Sequence, residues 1–318
     1  MTNSEVTRRL NNLKLTFDNN KFWNHNPSDG NDPASVTTTP CTHHNSGCSG
    51  NGSCGCNSFA DGIQCYGFAL YMAYRVFGSY PQKDANISLN GGSCGNGWLK
   101  YGNGYTASLT LEPGDIVRTG ISDSDGHSAI VWTARNDIFQ VGEVWGSPPK
   151  AKDNCRINWG NFNGTSANKS ITKIVDEALY IIKAPKTFNI KNIGSNSYLS
   201  VMGTSAETGG RCVQLSSSGT EKQKWIIPST SGIGHIISSL NTNLAIKYIS
   251  NADEYCRIYT LSSSETGAIT IISSGSYYKI KTTKGGTDYY LAADASGSNV
   301  YWTSGDSTAY QKWSFEEV

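Results

Sequence analysis

The chain has 318 residues, with Lys+Arg 26 against Asp+Glu 25 and a net charge of +1 at pH 7. That balance leaves no basic footprint for nucleic acid or for an anionic membrane, so partners must be recognised by shape. The length suits two domains with separate cores; no apolar stretch approaches the ~18 residues of a membrane span, and the polar start Met1-Thr2-Asn3-Ser4-Glu5 is not a secretion signal.

Val6, Leu10, Leu13 and Leu15 predict a short helix over residues 3–17, and a loop-rich segment over 23–56 follows. In it Cys41, Cys48, Cys54 and Cys56 crowd into a stretch too polar and glycine-rich to hold itself by burial. Either two disulfides or a zinc site using His43 or His44 would staple it, and either role is structural. The chain has nine cysteines, so one is left over if the others pair, and Cys65 is the odd one. Cys94 with Cys155 is expected as a further bridge. This cysteine usage favours an oxidising, extracellular setting.

Cys65 stands in Ile63-Gln64-Cys65-Tyr66-Gly67-Phe68-Ala69-Leu70, a turn followed by an apolar run that predicts a helix ending near Gly78. A thiol in a helix's first turn meets unpaired N–H groups and the positive dipole end, which favour thiolate and can bind an oxyanion. A glycine-rich loop runs on to Tyr105, and Leu111-Glu112-Pro113-Gly114-Asp115 signals a turn entering a strand. Further strands are predicted over 128–134, 138–145, 156–159 and 178–182, so the first half is α+β, helices before sheet. His127 stands at the mouth of the first of these strands, where an imidazole can be held rigidly. His25, His43, His44 and His235 lack such a setting, and Asp123 and Asp125 are expected in a solvated turn, with a bound cation there as the alternative.

A third group depends on hairpin register. With Arg135-Asn136-Asp137 as a three-residue connection, Glu143 pairs with Ala129 and lies diagonal to His127 on one face; a two-residue connection sends it to the opposite face. Asn158 is the reserve candidate for orienting the imidazole.

Gln64-Cys65 opening a helix, Leu111-x-Pro-Gly-Asp115 entering a strand, Gly126-His127-Ser128-Ala129 starting the next, and Glu143 beyond it together resemble CHAP-type hydrolases. These are cysteine, histidine-dependent amidohydrolases and peptidases, relatives of the NlpC-type peptidases of the papain-like superfamily. The resemblance covers about residues 16–182; the cysteine-rich stretch 41–56 departs from the minimal pattern. It implies a papain-like α+β domain over residues 1–184, with Cys65 as nucleophile, His127 as general base then acid, and Glu143 as orienter. Gln64 and the Cys65 N–H are implied as oxyanion donors. No metal or cofactor is required.

After Lys183-Ala184-Pro185-Lys186 charged residues thin out and a repeat appears. Phe188-Asn189-Ile190 with Tyr198-Leu199, His235-Ile236-Ile237 with Leu244-Ala245-Ile246, and Tyr278-Lys279-Ile280 with Tyr290-Leu291-Ala292 make three passes, suggesting an all-β β-trefoil over 187–318. The first and third close on Gln223-Lys224-Trp225 and Gln311-Lys312-Trp313, which resemble the Gln-x-Trp signature of ricin-type lectin domains; in the middle pass it is replaced near Ala268-Ile269-Thr270. Those tryptophans are expected in the core. The aspartate that such lectins usually carry just after the Tyr-Leu pair is replaced by Ser200, Ala245 and Ala292. The third repeat offers Asp294, Tyr289, Tyr290, Tyr301 and Trp302 as a sugar-binding mixture of aromatic platforms and polar groups. Cys212 and Cys256 occupy equivalent places in successive repeats, a further candidate disulfide.

An extracellular amidase or endopeptidase tied to a carbohydrate-type module calls for a substrate with both peptide bonds and sugar, and bacterial peptidoglycan fits. Two rival readings follow from the same residues: a host-directed cysteine protease or deamidase toxin gripping cell-surface glycans, and a lectin whose first domain is inert.

Overall fold

The computed structural model describes residues 1–19, 21–23, 36–38, 58–60, 62–82, 91–102, 109–120, 126–135, 138–145, 156–162, 171–216, 219–248, 255–261, 269–305 and 308–318. Cys41, Cys48, Cys54, Cys56, Cys155, His25, His43, His44, Asp123 and Asp125 lie outside these residues, and with them the expected staple and turn.

Helix α1 (Asn3–Thr16) opens with the Thr2 hydroxyl accepting from the Glu5 N–H at 3.1 Å, an N-cap. Val6, Leu10 and Leu13 form its buried stripe. Leu15 falls off that row and is 79% exposed, so only three of the four apolar residues expected on the inner face are there. The hairpin β1 (Ser58–Phe59) and β2 (Gly62–Ile63) feeds directly into α2 (Gln64–Phe77). A Cβ at Gly67 would lie 2.6 Å from the Gly62 carbonyl oxygen, so a glycine is what lets the helix start sit against β2.

A seven-stranded sheet follows: β3 (Gly92–Ser93), β4 (Leu99–Gly102), β5 (Ile116–Thr119), β6 (His127–Arg135), β7 (Ile138–Trp145), β8 (Arg156–Asn161) and β9 (Ala178–Lys183), the last preceded by a helix α3 (Ile171–Glu177). The spatial order is β3-β4-β9-β5-β6-β7-β8, with every neighbouring pair antiparallel. On one face Ile116, Ile130, Ile157 and Ile182 pack beneath α1 and α2. On the other, Val117, Ala129, Val131, Val141 and Ile181 form a core that also takes in Ile226, Ile237 and Ala245 of the C-terminal region. Burial on both faces explains why these strands read as continuous apolar runs instead of alternating.

The junction between the two regions is charged and buried. Lys183 Nζ lies 2.5 Å from Asp115 Oδ2 and donates to the Thr110 carbonyl at 2.6 Å, while Lys186 Nζ lies 2.8 Å from Glu112 Oε2. The other Asp115 oxygen accepts the Ala184 N–H at 3.0 Å, and Asn3 Nδ2 donates to Glu112 Oε1 at 3.1 Å. Pro-Gly-Asp115 thus serves as an anchor for the segment leaving β9. Burial raises the Asp115 carboxyl, whereas Lys183 and Lys186 outweigh burial at Glu112 and hold it at about 2.

The C-terminal region is all-β and trefoil-like. Its first repeat is β10 (Thr187–Asn192), β11 (Tyr198–Val201), β12 (Cys212–Leu215) and β13 (Lys224–Ile226). The second is β14 (Gly232–Gly234) with β15 (Ile237–Ser238), then β16 (Leu244–Lys247), β17 (Arg257–Thr260) and β18 (Ile269–Ser274). The third is β19 (Tyr277–Lys284), β20 (Thr287–Ala293), β21 (Val300–Ser304) and β22 (Trp313–Glu317). The outer strands of the repeats close a ring: β10 pairs with β13, β13 with β15, β14 with β18, β18 with β19, β19 with β22, and β22 with β10. The hairpins β11–β12, β16–β17 and β20–β21 cap one end of it.

The repeat is registered at the core. Cys212, Cys256 and Val300 are spaced 44 residues apart, and the Cys212 N–H donates to the Cys256 carbonyl at 2.8 Å and the Cys256 N–H to the Val300 carbonyl at 2.7 Å. Trp225, Ile269 and Trp313 keep the same spacing and are all buried. Each tryptophan Nε1 donates at 2.9 Å to the carbonyl of an equivalent leucine, Leu199 and Leu291. Gln223 Nε2 donates to the Ser216 carbonyl at 3.0 Å and Gln311 Nε2 to that of Gly305. The Gln-x-Trp pattern therefore ties each closing turn to its repeat by two side-chain bonds.

Among the described residues the expected Cys212–Cys256 disulfide is absent, and Cys155, the expected partner of Cys94, lies outside them. Cys94 is a buried thiol pushed up by burial to about 12, and Cys212 and Cys256 meet through their backbones while both remain thiols. Equivalent places at a three-fold core bring main chains together, and packing suffices there without a bridge.

Candidate active site

Cys65 is the second residue of α2, and the Ser128 N–H donates to its Sγ at 3.5 Å. His127, the first residue of β6, adjoins Cys65 on one side and is hydrogen-bonded to Glu143 on the other, its Nε2 lying 2.7 Å from Glu143 Oε2. A carboxylate can only accept, so Nε2 carries the proton toward Glu143 and Nδ1 is left for the sulfur. Glu143 is fully buried, and its second oxygen accepts from Asn158 Nδ2 at 2.9 Å; Asn158 also donates to the Asn161 carbonyl at 3.1 Å. The two candidates for the third position thus act in series, Asn158 fixing the carboxylate that fixes the imidazole.

The register that places Glu143 is neither of the two simple alternatives. Arg135 pairs with Ile138, as a two-residue connection requires, and would send Glu143 to the wrong face. A one-residue shift between Val131 and Thr133 leaves Trp132 as a bulge and brings Ile130 opposite Gly142. Continuing that register sets Ala129 beside Glu143. Gly142 is needed there, because a Cβ would fall 2.6 Å from the Trp159 ring.

Burial raises the Cys65 thiol, but the charge and hydrogen bond of His127, the Ser128 N–H and the charge of Arg118 outweigh it, and the thiol is lowered to about 7. Burial likewise opposes the imidazolium, yet Cys65 and Glu143 raise His127 to about 10. Between those values the pair stands as thiolate and imidazolium, the combination that attacks a carbonyl and then protonates a leaving group.

Three neighbours escaped the sequence. Phe162, 1% exposed, sets its ring edge-on 5.2 Å from the His127 ring. Ser128 supplies the amide on the sulfur. Arg118, 7% exposed on β5, donates to Ser128 Oγ at 2.8 Å. Only the pairing of Arg118 with Ser128 across β5 and β6 marks it, and a single sequence does not display that pairing. Gln64 heads α2, and its side chain lies outside the described residues.

Comparison with known proteins bears on the C-terminal region. Residues 179–255 match the family described as Ricin-type beta-trefoil lectin domain-like. No curated protein sequence matches the chain. Among solved structures, the designed three-fold symmetric protein ThreeFoil is 22% identical, covering 42% of this chain and 99% of its own at a TM-score of 0.36. The β-trefoil lectin of the Vibrio vulnificus hemolysin/cytolysin, solved with N-acetyl-D-lactosamine bound, is 18% identical, covering 42% and 96% at 0.35. A mosquitocidal holotoxin is 15% identical, covering 64% and 35% at 0.38.

In the trefoil-like C-terminal region the candidate sugar residues do not converge on one face. Tyr290 pairs with Thr303 and Ala292 with Tyr301, while Leu291 pairs with Trp302, so Trp302 faces the opposite side from Tyr290. Trp302 is 6% exposed and packs against Tyr248 with ring centroids 5.8 Å apart, and Tyr289 joins the same cluster. The expected platform at Trp302 is therefore core. Asp294 closes a turn, its Oδ1 accepting the Ser296 N–H at 3.1 Å. Tyr290 and Tyr301 remain partly exposed on the outer face.

Proposed function

We propose that the protein is a secreted cysteine hydrolase that cleaves an amide bond of bacterial peptidoglycan, with the trefoil as a lectin-like module that holds it on the wall. The observation that carries the catalytic reading is His127 bonded through Nε2 to a fully buried Glu143, with the N–H of the next residue, Ser128, on the Cys65 sulfur. The CHAP-like order of Gln64-Cys65, Pro113-Gly114-Asp115, Gly126-His127-Ser128 and Glu143 supports a papain-like assignment for the first domain.

In this reading the Cys65 thiolate adds to the amide carbonyl, and the oxyanion is met by N–H groups of the first turn of α2, which the helix's own ladder leaves unpaired. His127 passes its Nδ1 proton to the departing amine, the thioester forms, and the neutral imidazole then draws a proton from the water that hydrolyses it. Glu143 keeps the ring oriented and stabilises its charged form throughout. The family match of residues 179–255 supports a glycan-binding module, and even weak binding raises the local concentration of enzyme on an insoluble polymer. A substrate rich in both sugar and peptide satisfies the two halves together.

The test is to incubate the protein and Cys65→Ala with purified peptidoglycan and weigh the released fragments. Fragments from the unmutated protein alone are expected, and their masses separate muramoyl amide cleavage from stem or cross-bridge cleavage. Equal release by both proteins, or none by either, would overturn the wall reading and leave the toxin and inert-lectin readings.

A further inference from the structure

We infer that Arg118 is a positioning residue for the nucleophile: held across Gly126 and bonded to Ser128, its guanidinium aims the Ser128 N–H at Cys65 Sγ and sets a fixed positive charge against the Cys65-Tyr66 segment. The inference rests on the reading of Cys65 as nucleophile.

Four contacts lead to it. Arg118 and Ser128 are register partners on β5 and β6, and Arg118 Nη1 donates to Ser128 Oγ at 2.8 Å with both residues buried. The main-chain N–H of that same Ser128 meets the sulfur at 3.5 Å. A Cβ at Gly126 would fall 2.8 Å from Arg118 Nε and 2.6 Å from the Thr119 carbonyl oxygen, so the glycine before His127 makes room for the guanidinium. The guanidinium carbon also stands 5.9 Å from the ring of Tyr66, the residue after Cys65. One side chain thus spans the Gly126-His127-Ser128 and Cys65-Tyr66 segments, which come from different elements and must stay in register for the sulfur to meet its partners.

The charge has a reason to be there. A guanidinium cannot shed its proton, so its burial is tolerated where an anion or a set of acceptors faces it. Among the described residues its neighbours include Ser128 and Tyr66, and Tyr180 on β9 lies opposite Arg118 in register, while Cys65, His127 and Glu143 make up the adjoining site. Lys100 Nζ on β4 lies 3.8 Å over the Tyr180 ring and adds a second cation at that edge. Glu143 is already engaged by His127 and Asn158. The Cys65 thiolate is an anion that such a charge favours, and the charge of Arg118 lowers the thiol.

The experiment measures alkylation of Cys65 by iodoacetamide from pH 5 to 9, followed by mass spectrometry of the Cys65 peptide, in the full chain and in Arg118→Gln, Arg118→Lys and Ser128→Ala. The unmutated protein should show a midpoint near 7. Arg118→Gln should move it upward and cut the rate at pH 7 about two- to fivefold, the loss of thiolate expected from a rise of about half to one pH unit, and Arg118→Lys should restore most of it. A folded Arg118→Gln with an unchanged midpoint would show a merely structural arginine and overturn the inference. If Arg118→Gln fails to fold, Ser128→Ala decides, because it cuts the anchor and keeps the charge: a raised midpoint supports the inference and an unchanged one overturns it. An ordinary midpoint near 8.5 in the unmutated protein would overturn the nucleophile reading itself, and with it this one.

Discussion

Glu143 stands sixteen residues beyond His127 in sequence and 2.7 Å from its Nε2 in space. Its carboxylate is fully buried, so it acts on the imidazole with little screening and no competition from water. Glu143→Gln keeps the shape and removes the charge, and its side chain can present N–H where an acceptor is needed. Hydrolysis should fall about a hundredfold or more, with alkylation of Cys65 at neutral pH weakened as the imidazolium loses its partner. Activity within about threefold of the unmutated protein would show that Glu143 does not orient His127.

The pH dependence follows from the two shifts. Cys65, lowered to about 7, is a thiol below that value and cannot attack; His127, raised to about 10, is neutral above that value and cannot protonate a leaving amine. The rate of hydrolysis should therefore plateau between pH 7 and 10, fall about tenfold by pH 6 and decline again above 10. A plateau reaching down to pH 5 would contradict a thiol near 7 as the group that sets the acid limb.

Much of this arrangement is legible in the residues. The stripe of Val6, Leu10 and Leu13 marks α1, the small-residue turn before Phe68 marks α2, and β-branched runs mark β6 to β9. What is not legible depends on partners distant in sequence. β3 and β4 lie in a glycine-rich stretch without periodicity and exist because β4 pairs with β9, some eighty residues away. α3, only seven residues long, is too short for a helical period to stand out. The bulge at Trp132 has no local signal, since one extra residue looks like ordinary strand, yet it decides which face Glu143 takes. Arg118 reads as a polar residue ending a strand until β6 is laid beside it.

The junction makes a stability prediction that leaves the catalytic groups alone. Asp115→Asn would take away the nearer of the two carboxylates beside the fully buried Lys183 ammonium, the one at 2.5 Å, and leave Glu112 Oε2 at 3.4 Å. Breaking one side of such a pair costs about 3–5 kcal/mol, whereas replacing both partners with apolar residues of similar volume costs much less. Urea unfolding should place Asp115→Asn well below the unmutated protein and the double variant Asp115→Leu, Lys183→Met between them. Turnover per folded molecule should stay the same. A single variant as stable as its parent would mean that the pair is not closed to water.

The trefoil offers a comparison within one chain, because the middle repeat already carries the substitution that the outer two lack. Trp225 and Trp313 fill equivalent core positions and bond to Leu199 and Leu291, while Ile269 fills the third with a smaller side chain and no indole N–H. Trp313→Ala should cost about 3–5 kcal/mol, from lost burial, the cavity left behind and an unmade bond to the Leu291 carbonyl. Ile269→Trp tests whether the middle repeat has adapted its packing to the smaller residue. An adapted pocket is overfilled by the larger ring and the variant loses about 1–3 kcal/mol in denaturant unfolding. A neutral or stabilised variant would mean that the three-fold site was left unfilled and that the middle repeat kept the shape of its neighbours after losing their tryptophan.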